Sequence, residues 1–405
     1  MNIPKLRFPE FSGEWEEKKL SEFMTRLTRK NTNNESSRAL TISSVDGLID
    51  QGEFFKKQVA SKDISGYYLL KKGDFAYNKS YSVGYDYGSI KRLDRYENGV
   101  VSTLYICMTL NEEINSDYLT HYFDSMKWNK SVSEISAEGA RNHGLLNIPT
   151  DAFFETKHYL SPSLPEQQKI ADFLSTVDSI ITSETKILNA LQKKKKALMQ
   201  KLFSQQLRFK ADDGSEFPEW VEKKLGEVCE LPKYGLNASG IDYDGEHKYL
   251  RITDIDEITH TFTPEDLTSP SEYSDEYLLK ENDIVFTRTG ASTGKTYLYD
   301  PKDGDLYYAG FLIKFHVKGE NAKFIFYQTC THEYEKWVHV MSTRSGQPGI
   351  NSEEYSSMKI KLPCKEEQQK IADCLSSLDN LIQNQQKIVT NWQQRKKGLL
   401  QQMFV

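Results

Sequence analysis

The sequence has no run of about 18 consecutive apolar residues, so no membrane-spanning helix is predicted. Its opening stretch, Met1-Asn-Ile-Pro-Lys-Leu-Arg-Phe-Pro-Glu-Phe11, lacks the apolar centre of a signal peptide. The five cysteines (Cys107, Cys229, Cys330, Cys364 and Cys374) are scattered and form no CxxC pair. That excludes a disulfide framework and a zinc site of the usual spacing, and predicts a reduced, cytoplasmic protein. The eight histidines show no ligand spacing, and HExxH and GxSxG are both absent. So is the Asn/Asp-Pro-Pro-aromatic tetrapeptide with which adenine methyltransferases hold a target amino group. With 58 acidic residues in the chain, a pair of carboxylates carries no signal. No active site and no metal are therefore predicted, and no cofactor is assigned to this chain.

A phosphate-binding loop is the nearest approach to a catalytic motif. Gly290-Ala-Ser-Thr-Gly-Lys-Thr296 follows a strand-like run but has three residues between its glycines. The loop needs four to wrap successive N–H groups round a phosphate. Excess positive charge is also lacking: the net charge is −6. Residues 1–163, 164–204, 205–364 and 365–405 carry about −1, +3, −10 and +2. Any nucleic-acid contact must then use a local basic face, with partner subunits supplying part of the phosphate neutralisation.

What the sequence does have is a long repeat. Glu166-Gln-Gln-Lys-Ile-Ala-Asp172 returns as Glu367-Gln-Gln-Lys-Ile-Ala-Asp373, and each copy opens a helix-like run without interior proline. Apolar residues step by four and three along both: Ile170, Leu174, Val177, Ile181, Leu188, Leu191, Leu198 and Leu202, then Ile371, Leu375, Leu378, Ile382, Val389, Trp392, Leu399 and Met403. This is a heptad seam. Both copies break it at matching places, Glu184 with Gln385 and Lys195 with Lys396. The shared spacing predicts that the two rods, each about 60 Å long, pair antiparallel as a coiled coil. The polar breaks are expected to face one another there. The weaker alternative has each stripe packing on its own domain.

The repeat extends beyond the rods. Leu6-Arg-Phe8 returns as Leu207-Arg-Phe209, Trp15-Glu-Glu-Lys-Lys-Leu20 as Trp220-Val-Glu-Lys-Lys-Leu225, and Tyr68-Leu-Leu-Lys-Lys-Gly-Asp74 as Tyr277-Leu-Leu-Lys-Glu-Asn-Asp283. A period near 200 is a tandem duplication of a domain plus a rod. The expected domains are 1–163, 164–204 (rod), 205–364 and 365–405 (rod). The fold class is α+β: two related mixed α/β domains joined by two long antiparallel helices, with internal two-fold pseudo-symmetry. Phe404 matches Phe203 at the end of a unit, so the chain reads as cyclic with its ends close. Strands are expected at Ala39–Val45, Asp74–Asn78, Val100–Leu110, Lys248–Ile255, Asp283–Thr287 and Phe311–Val317, and helices at Ser116–Lys130 and Lys323–Val340. Ser163-Leu-Pro-Glu166 fits a capping box for the first rod.

Both halves place polar, glycine-containing loops after a strand, with residues suited to DNA. In the first half these are Lys79, Ser80 and Tyr81, then Arg92 (beside Lys91 and Arg95), and later Arg141, Asn142 and His143. In the second they are Arg288, Thr289, Ser292 and Lys295, then Arg344 and Gln347; Arg251, in Leu250-Arg-Ile-Thr-Asp-Ile255, which repeats Leu40-Thr-Ile-Ser-Ser-Val45, is counted with them. Arginine pairs with guanine edges and Asn or Gln with adenine edges, while hydroxyls and lysine serve phosphates.

Together, Leu164-Pro-Glu-Gln-Gln-Lys-Ile-Ala-Asp172 and its copy, the two Trp…Lys-Lys-Leu openings, Leu250-Arg-Ile-Thr-Asp254 and Gly346-Gln-Pro-Gly-Ile350 resemble the specificity subunit of type I restriction–modification systems. The likeness runs along the whole chain. In the first half Gly144-Leu-Leu-Asn147 stands where the second has Gly349-Ile-Asn351. The resemblance implies two target-recognition domains, each reading half of a split double-stranded DNA target. The coiled coil would set the spacer. Two methyltransferase (M) subunits and restriction (R) subunits would dock on the chain, with S-adenosylmethionine and ATP on those partners. Two other classes compete: a coiled-coil scaffold that never touches DNA, and a nucleotide-binding enzyme built on the Gly290 loop.

Overall fold

The computed structural model describes residues 2–55, 60–61, 63–111, 114–136, 146–343 and 347–405. Two compact units are present, Met1–Lys186 with Gln386–Val405, and Ile187–Gln385. Among the described residues no helix is long and apolar enough to cross a membrane.

The rods form as the heptads require. Leu164–Phe203 and Lys365–Met403 are single helices of 40 and 39 residues. Each lends its first half to one unit and its second half to the other. In the first unit Ile170 and Leu174, from the start of one rod, join Leu400, Met403 and Phe404, from the end of the other, in one core with Trp15, Tyr77 and Tyr118. In the second unit Ile371 and Leu375 meet Met199 and Leu202 in a core with Phe286, Phe324 and Tyr355. Start beside end, in each unit, is antiparallel pairing.

Both readings of the seam hold in part, because the rods pair with each other and also pack on the domains. Ile170, Leu174, Val177, Leu188, Ile371, Leu375, Leu378, Ile382 and Val389 are buried. Ile181, Leu191, Leu198, Trp392 and Leu399 are half-buried. Near the rod ends Met199 and Leu400, one residue past the seam, are the more buried because the domain core covers that side. The lysine breaks do not face one another. Lys396 pairs with Asp178 at 2.7 Å in the first unit, and Lys195 with Asp379 at 2.5 Å in the second. An ammonium in a seam is more stable against a carboxylate than against another ammonium.

Each unit holds a four-stranded antiparallel sheet of the same order. In the first it runs Met24–Arg26, Ile106–Leu110, Phe75–Asn78, Ser89–Arg92. In the second it runs Lys233–Tyr234, Leu312–His316, Asp283–Thr287, Thr296–Leu298. Alternate residues go to different cores: Phe75 and Tyr77 to the rod side, Ala76 to a second cluster; Ile284 and Phe286 likewise, with Val285 opposite. A period of two with both faces covered is what an apolar central strand produces. The repeated Lys-Lys-Leu ends an edge ribbon, Glu16–Lys19 on Lys157–Leu160 and Val221–Lys224 on Lys359–Leu362. Leu20 and Leu225 are fully buried beyond it.

Four expected elements divide. The strand expected at Lys248–Ile255 is a strand over Lys248–Leu250 followed by a 3-10 turn at Ile252–Asp254. Val100–Leu110 is two strands, Asn98–Val101 and Ile106–Leu110, parted by a turn in which Tyr105 N–H donates to Ser102 O. The helix expected at Ser116–Lys130 ends at Asp124, because Met126 adopts φ 59°. A new helix then runs Asn129–Ile135. The one expected at Lys323–Val340 is Ala322–Gln328 followed by His332–Ser342, whose N-cap Thr331 accepts from Tyr334 N–H.

The Glu-Gln-Gln signature proves to be a clip between rod and domain, used twice. The Glu166 carboxylate is buried and takes a fork from Arg7 of Leu-Arg-Phe, at 2.6 and 2.9 Å. Glu367 takes the same fork from Arg208, at 3.1 and 2.8 Å. Gln167 and Gln368 accept from the backbone N–H of Asn115 and Asn321, the N-caps of the helices that pack on each rod. Gln168 and Gln369 accept from the side chains of the same asparagines. This corrects the capping box: Glu166 N–H reaches Ser163 Oγ at 3.4 Å, but its carboxylate goes to Arg7 and Ser161. Leu6 N–H donates to Gln402 O just as Leu207 N–H does to Lys201 O, so the chain ends meet in the first unit as the cyclic phase predicts.

Candidate nucleic-acid interface

In the second unit the strand Asp283–Thr287 runs out into the candidate loop. The turn is closed by Thr287 N–H to Lys295 O and Gly294 N–H to Thr287 O, at 2.8 and 3.1 Å. Gly294 sits at φ 92°, and a Cβ there would lie 2.5 Å from Val338, so glycine is required on both counts. The two loops singled out in this half do come together. Gly290 N–H donates to Pro348 O, Ile350 N–H to Arg288 O, and Thr289 bridges Gly349. Gln347 is exposed beside Gly290, Thr289 and Ser292 are half-buried in the turn, and Arg344 lies outside the described residues.

The cations of this half divide by partner. The Lys295 ammonium is turned inward, donating to Ile255 O at 2.9 Å with Glu257 at 3.6 Å. Arg251 forks onto Asp254 at 2.9 and 2.8 Å and closes its own turn. Both are spent on the fold. Arg288 is not: its guanidinium lies over the Tyr234 ring, 4.9 Å from the centroid. The phosphate-loop reading fails on topology as well. A strand, Thr296–Leu298, follows the glycines where that loop needs a helix N-terminus, and Lys295 is not free to meet a phosphate.

In the first unit the strand Phe75–Asn78 delivers Lys79 to the equivalent place. Leu146 N–H donates to Lys79 O at 2.9 Å, the counterpart of Ile350 on Arg288. Ile148 and Ile350 then match, both buried two residues ahead of a short helix, Thr150–Phe154 or Ser352–Ser356. The first half therefore has two more residues than the second between this hydrogen bond and the short helix. The match of Asn147 to Asn351 is corrected to Pro149, the N-cap here as Asn351 is there. Lys79 is half-buried, and among the described residues no carboxylate pairs with it. Burial alone pulls its pKa down.

Ser80 N–H is held by Asn78 Oδ1, and Tyr81 is 54% exposed. Arg92 is drawn into the fold: it binds Asp94 and Asp117 at 2.6 Å each and Ser116 Oγ at 2.7 Å, fixing the start of a helix. Lys91 pairs with Asp124. Arg141, Asn142 and His143 lie outside the described residues. Tyr234, on a two-residue strand, carried no sequence signal of its own.

One α/β domain used twice, each copy bringing a loop cation to the end of the same central strand, defines a duplicated two-domain protein on paired long helices. The family model for the type I restriction modification DNA specificity domain matches residues 12–193 and again 218–391. The chain belongs to that family. It is 28% identical over 328 residues to the type I restriction enzyme MjaVIII specificity subunit of Methanocaldococcus jannaschii, with 75% of this chain and 73% of that one covered. Among solved structures it is similar in fold to the type I restriction–modification S subunit from M. genitalium, at a TM-score of 0.61 and 14% identity over 100% and 99% of the two chains. A chain from a structure addressing assembly and conformational transition of the type I system matches at 0.55 and 16%, over 98% of each.

Proposed function

We propose that this chain is the non-catalytic, sequence-reading subunit of a cytoplasmic type I restriction–modification complex. Domains 1–163 and 205–364 each read one half of a bipartite double-stranded DNA target, and the rods at 164–204 and 365–405 set the spacer. Two adenine-N6 methyltransferase subunits dock on it, bringing S-adenosylmethionine, and restriction subunits join with ATP. The observation that carries this reading is the doubled loop site, with Lys79 and Arg288 at one position of one fold and no carboxylate opposite either among the described residues. A cation so placed is suited to phosphate oxygens or base acceptors. An overall charge of −6 leaves bulk phosphate neutralisation to partner subunits.

The test is an adenine-methylation map of a host carrying this chain with a type I M subunit. The expected result is a split motif with one modified adenine on each strand. An assembled complex that leaves no such motif refutes the reading. A second result follows for the rods. Deleting one heptad from each at matched places, residues 182–188 and 383–389, removes about 10 Å of helix while keeping the seam in phase. At about 3.4 Å per base pair, the mapped spacer should shorten by about three base pairs with both half-sites intact. An unchanged spacer, or changed half-site bases, sinks the ruler.

A further inference from the structure

We propose that Arg288 reads a guanine in the half-site of the second domain and that Tyr234 is the residue that positions its guanidinium; this rests on the DNA-reading function proposed above. Arg208 and Arg251, the other described arginines of that unit, fork onto Glu367 and Asp254. Arg288 has no carboxylate partner among the described residues, yet it is half-buried. Its backbone is fixed from two sides, N–H to Phe311 O at 3.1 Å and O from Ile350 N–H at 2.9 Å.

The guanidinium lies over a ring that is itself pinned. Tyr234 O–H donates to Ser352 Oγ at 3.1 Å and accepts from Ser352 N–H at 3.2 Å. The next residue, Gly235, must lack a side chain, since a Cβ would stand 2.2 Å from Ala309 O. That close crossing fixes the Tyr234 backbone as well. Beside this group the Phe311 side chain is 60% exposed, an apolar surface next to a cation at the loop rim.

A phosphate accepts a cation from many directions and does not need an oriented donor. A base edge does, and the commonest oriented match for the planar fork of arginine is the O6/N7 edge of guanine. Stacking on a fixed aromatic ring holds that fork in place before DNA arrives. In the first unit, continuing the register of Arg26 with Met108 puts Thr28 opposite Ile106, the place Tyr234 holds opposite Ile313. Among the described residues no aromatic ring lies over Lys79 to orient it. It therefore serves as a phosphate contact, so the two domains use one position for different chemistry.

The test maps methylated motifs for the assembled complex carrying wild-type chain, Arg288→Ala, Arg288→Lys, Tyr234→Phe or Tyr234→Leu. It then measures binding to the mapped site with one guanine replaced by 7-deazaguanine, which lacks the N7 acceptor. Wild type should show a guanine in one half-site and lose roughly ten- to a hundredfold in affinity on the 7-deaza site. Arg288→Ala should relax that one position, keep the other half-site and spacer, and be indifferent to 7-deazaguanine. Tyr234→Phe keeps the ring and should keep the motif, while Tyr234→Leu should relax the same base. Should Arg288→Ala not assemble, Arg288→Lys and Tyr234→Leu give the same reading through relaxed discrimination. An equal loss of affinity on all DNA with an unchanged motif would make Arg288 a phosphate contact and overturn the proposal. A Tyr234→Leu chain with full discrimination removes Tyr234 from it. A wild-type complex with no split motif removes the DNA-reading function itself, and this inference with it.

Discussion

Arg208→Ala should cost the second unit about 3–5 kcal/mol of unfolding free energy. The Glu367 carboxylate is fully buried. Among the described residues its fork from Arg208, at 3.1 and 2.8 Å, is joined only by Trp220 Nε1–H at 3.2 Å. Removing the guanidinium leaves a buried charge with one neutral donor, the situation in which a broken pair costs far more than the intact pair contributes. Arg208 also ties down the Phe217 and Pro218 carbonyls, so the segment leading to the edge ribbon loosens with it. The loss should be visible as a lower urea midpoint and a change in Trp220 fluorescence. The double variant Arg208→Met with Glu367→Leu should recover much of the stability, because no charge is then stranded. A single variant as stable as wild type, or a double no better than the single, would show that the clip is not what holds domain to rod.

That clip is written in the sequence in a form that composition and periodicity do not reveal. The rods were legible almost to the residue, since a heptad pattern without interior proline has one structural solution, and the duplication was legible because whole phrases recur. The meaning of Glu-Gln-Gln was not. Its partners, Arg7 and Arg208, sit 159 residues away in each half, and that equal separation was the signal available. Helix breaks at Met126 and at Thr331 depend on one positive φ and one hydroxyl cap, both too local for an apolar stripe to register.

The loop site was legible by position and less so by residue. Residue type alone cannot tell a cation facing DNA from one bound to a carboxylate folded against it. Arg92 finds Asp117 25 positions away, and Lys295 finds a backbone carbonyl 40 away. Arg251 is different: Arg-Ile-Thr-Asp places its partner three residues on, and that local pair could have been suspected from the sequence. What survives is the pair of positions, Lys79 and Arg288, where the two copies of the fold agree and the side chains have no acidic partner among the described residues.

Acid should weaken the first unit through His158. This imidazole is buried on the edge strand Lys157–Leu160, edge-on to Phe23 and Tyr122. Thr156 Oγ1 spends its proton on Phe153 O, so it accepts from His158 Nε2–H at 2.9 Å. Nδ1 is then left to accept from Tyr122 O–H at 2.8 Å. The neutral ring is fully satisfied, and a second proton on Nδ1 would face a donor inside an apolar core. Burial accordingly lowers the pKa to about 3. The unfolded chain, with a histidine near 6.5, binds that proton first. The contribution of His158 to stability is thus complete above pH 6.5 and is lost as the pH falls from there to about 3. The loss should be about 2 kcal/mol between pH 7 and pH 5, and about 4 kcal/mol by pH 3.5. The second unit has Ile360 at the matching register, opposite Lys223 as His158 is opposite Lys18, and lacks this liability. His121 and His260 are also pulled down, by burial first, but they are common to wild type and a His158 variant and cancel in the comparison. His158→Gln keeps a donor and an acceptor for Thr156 and Tyr122 without titrating. The protection factor of the Lys157–Leu160 strand in the full chain, with the intrinsic pH dependence of amide exchange divided out, should fall on acidification in wild type and much less in the variant. An equal fall in protection in both would assign the acid sensitivity of the first unit to some group other than His158.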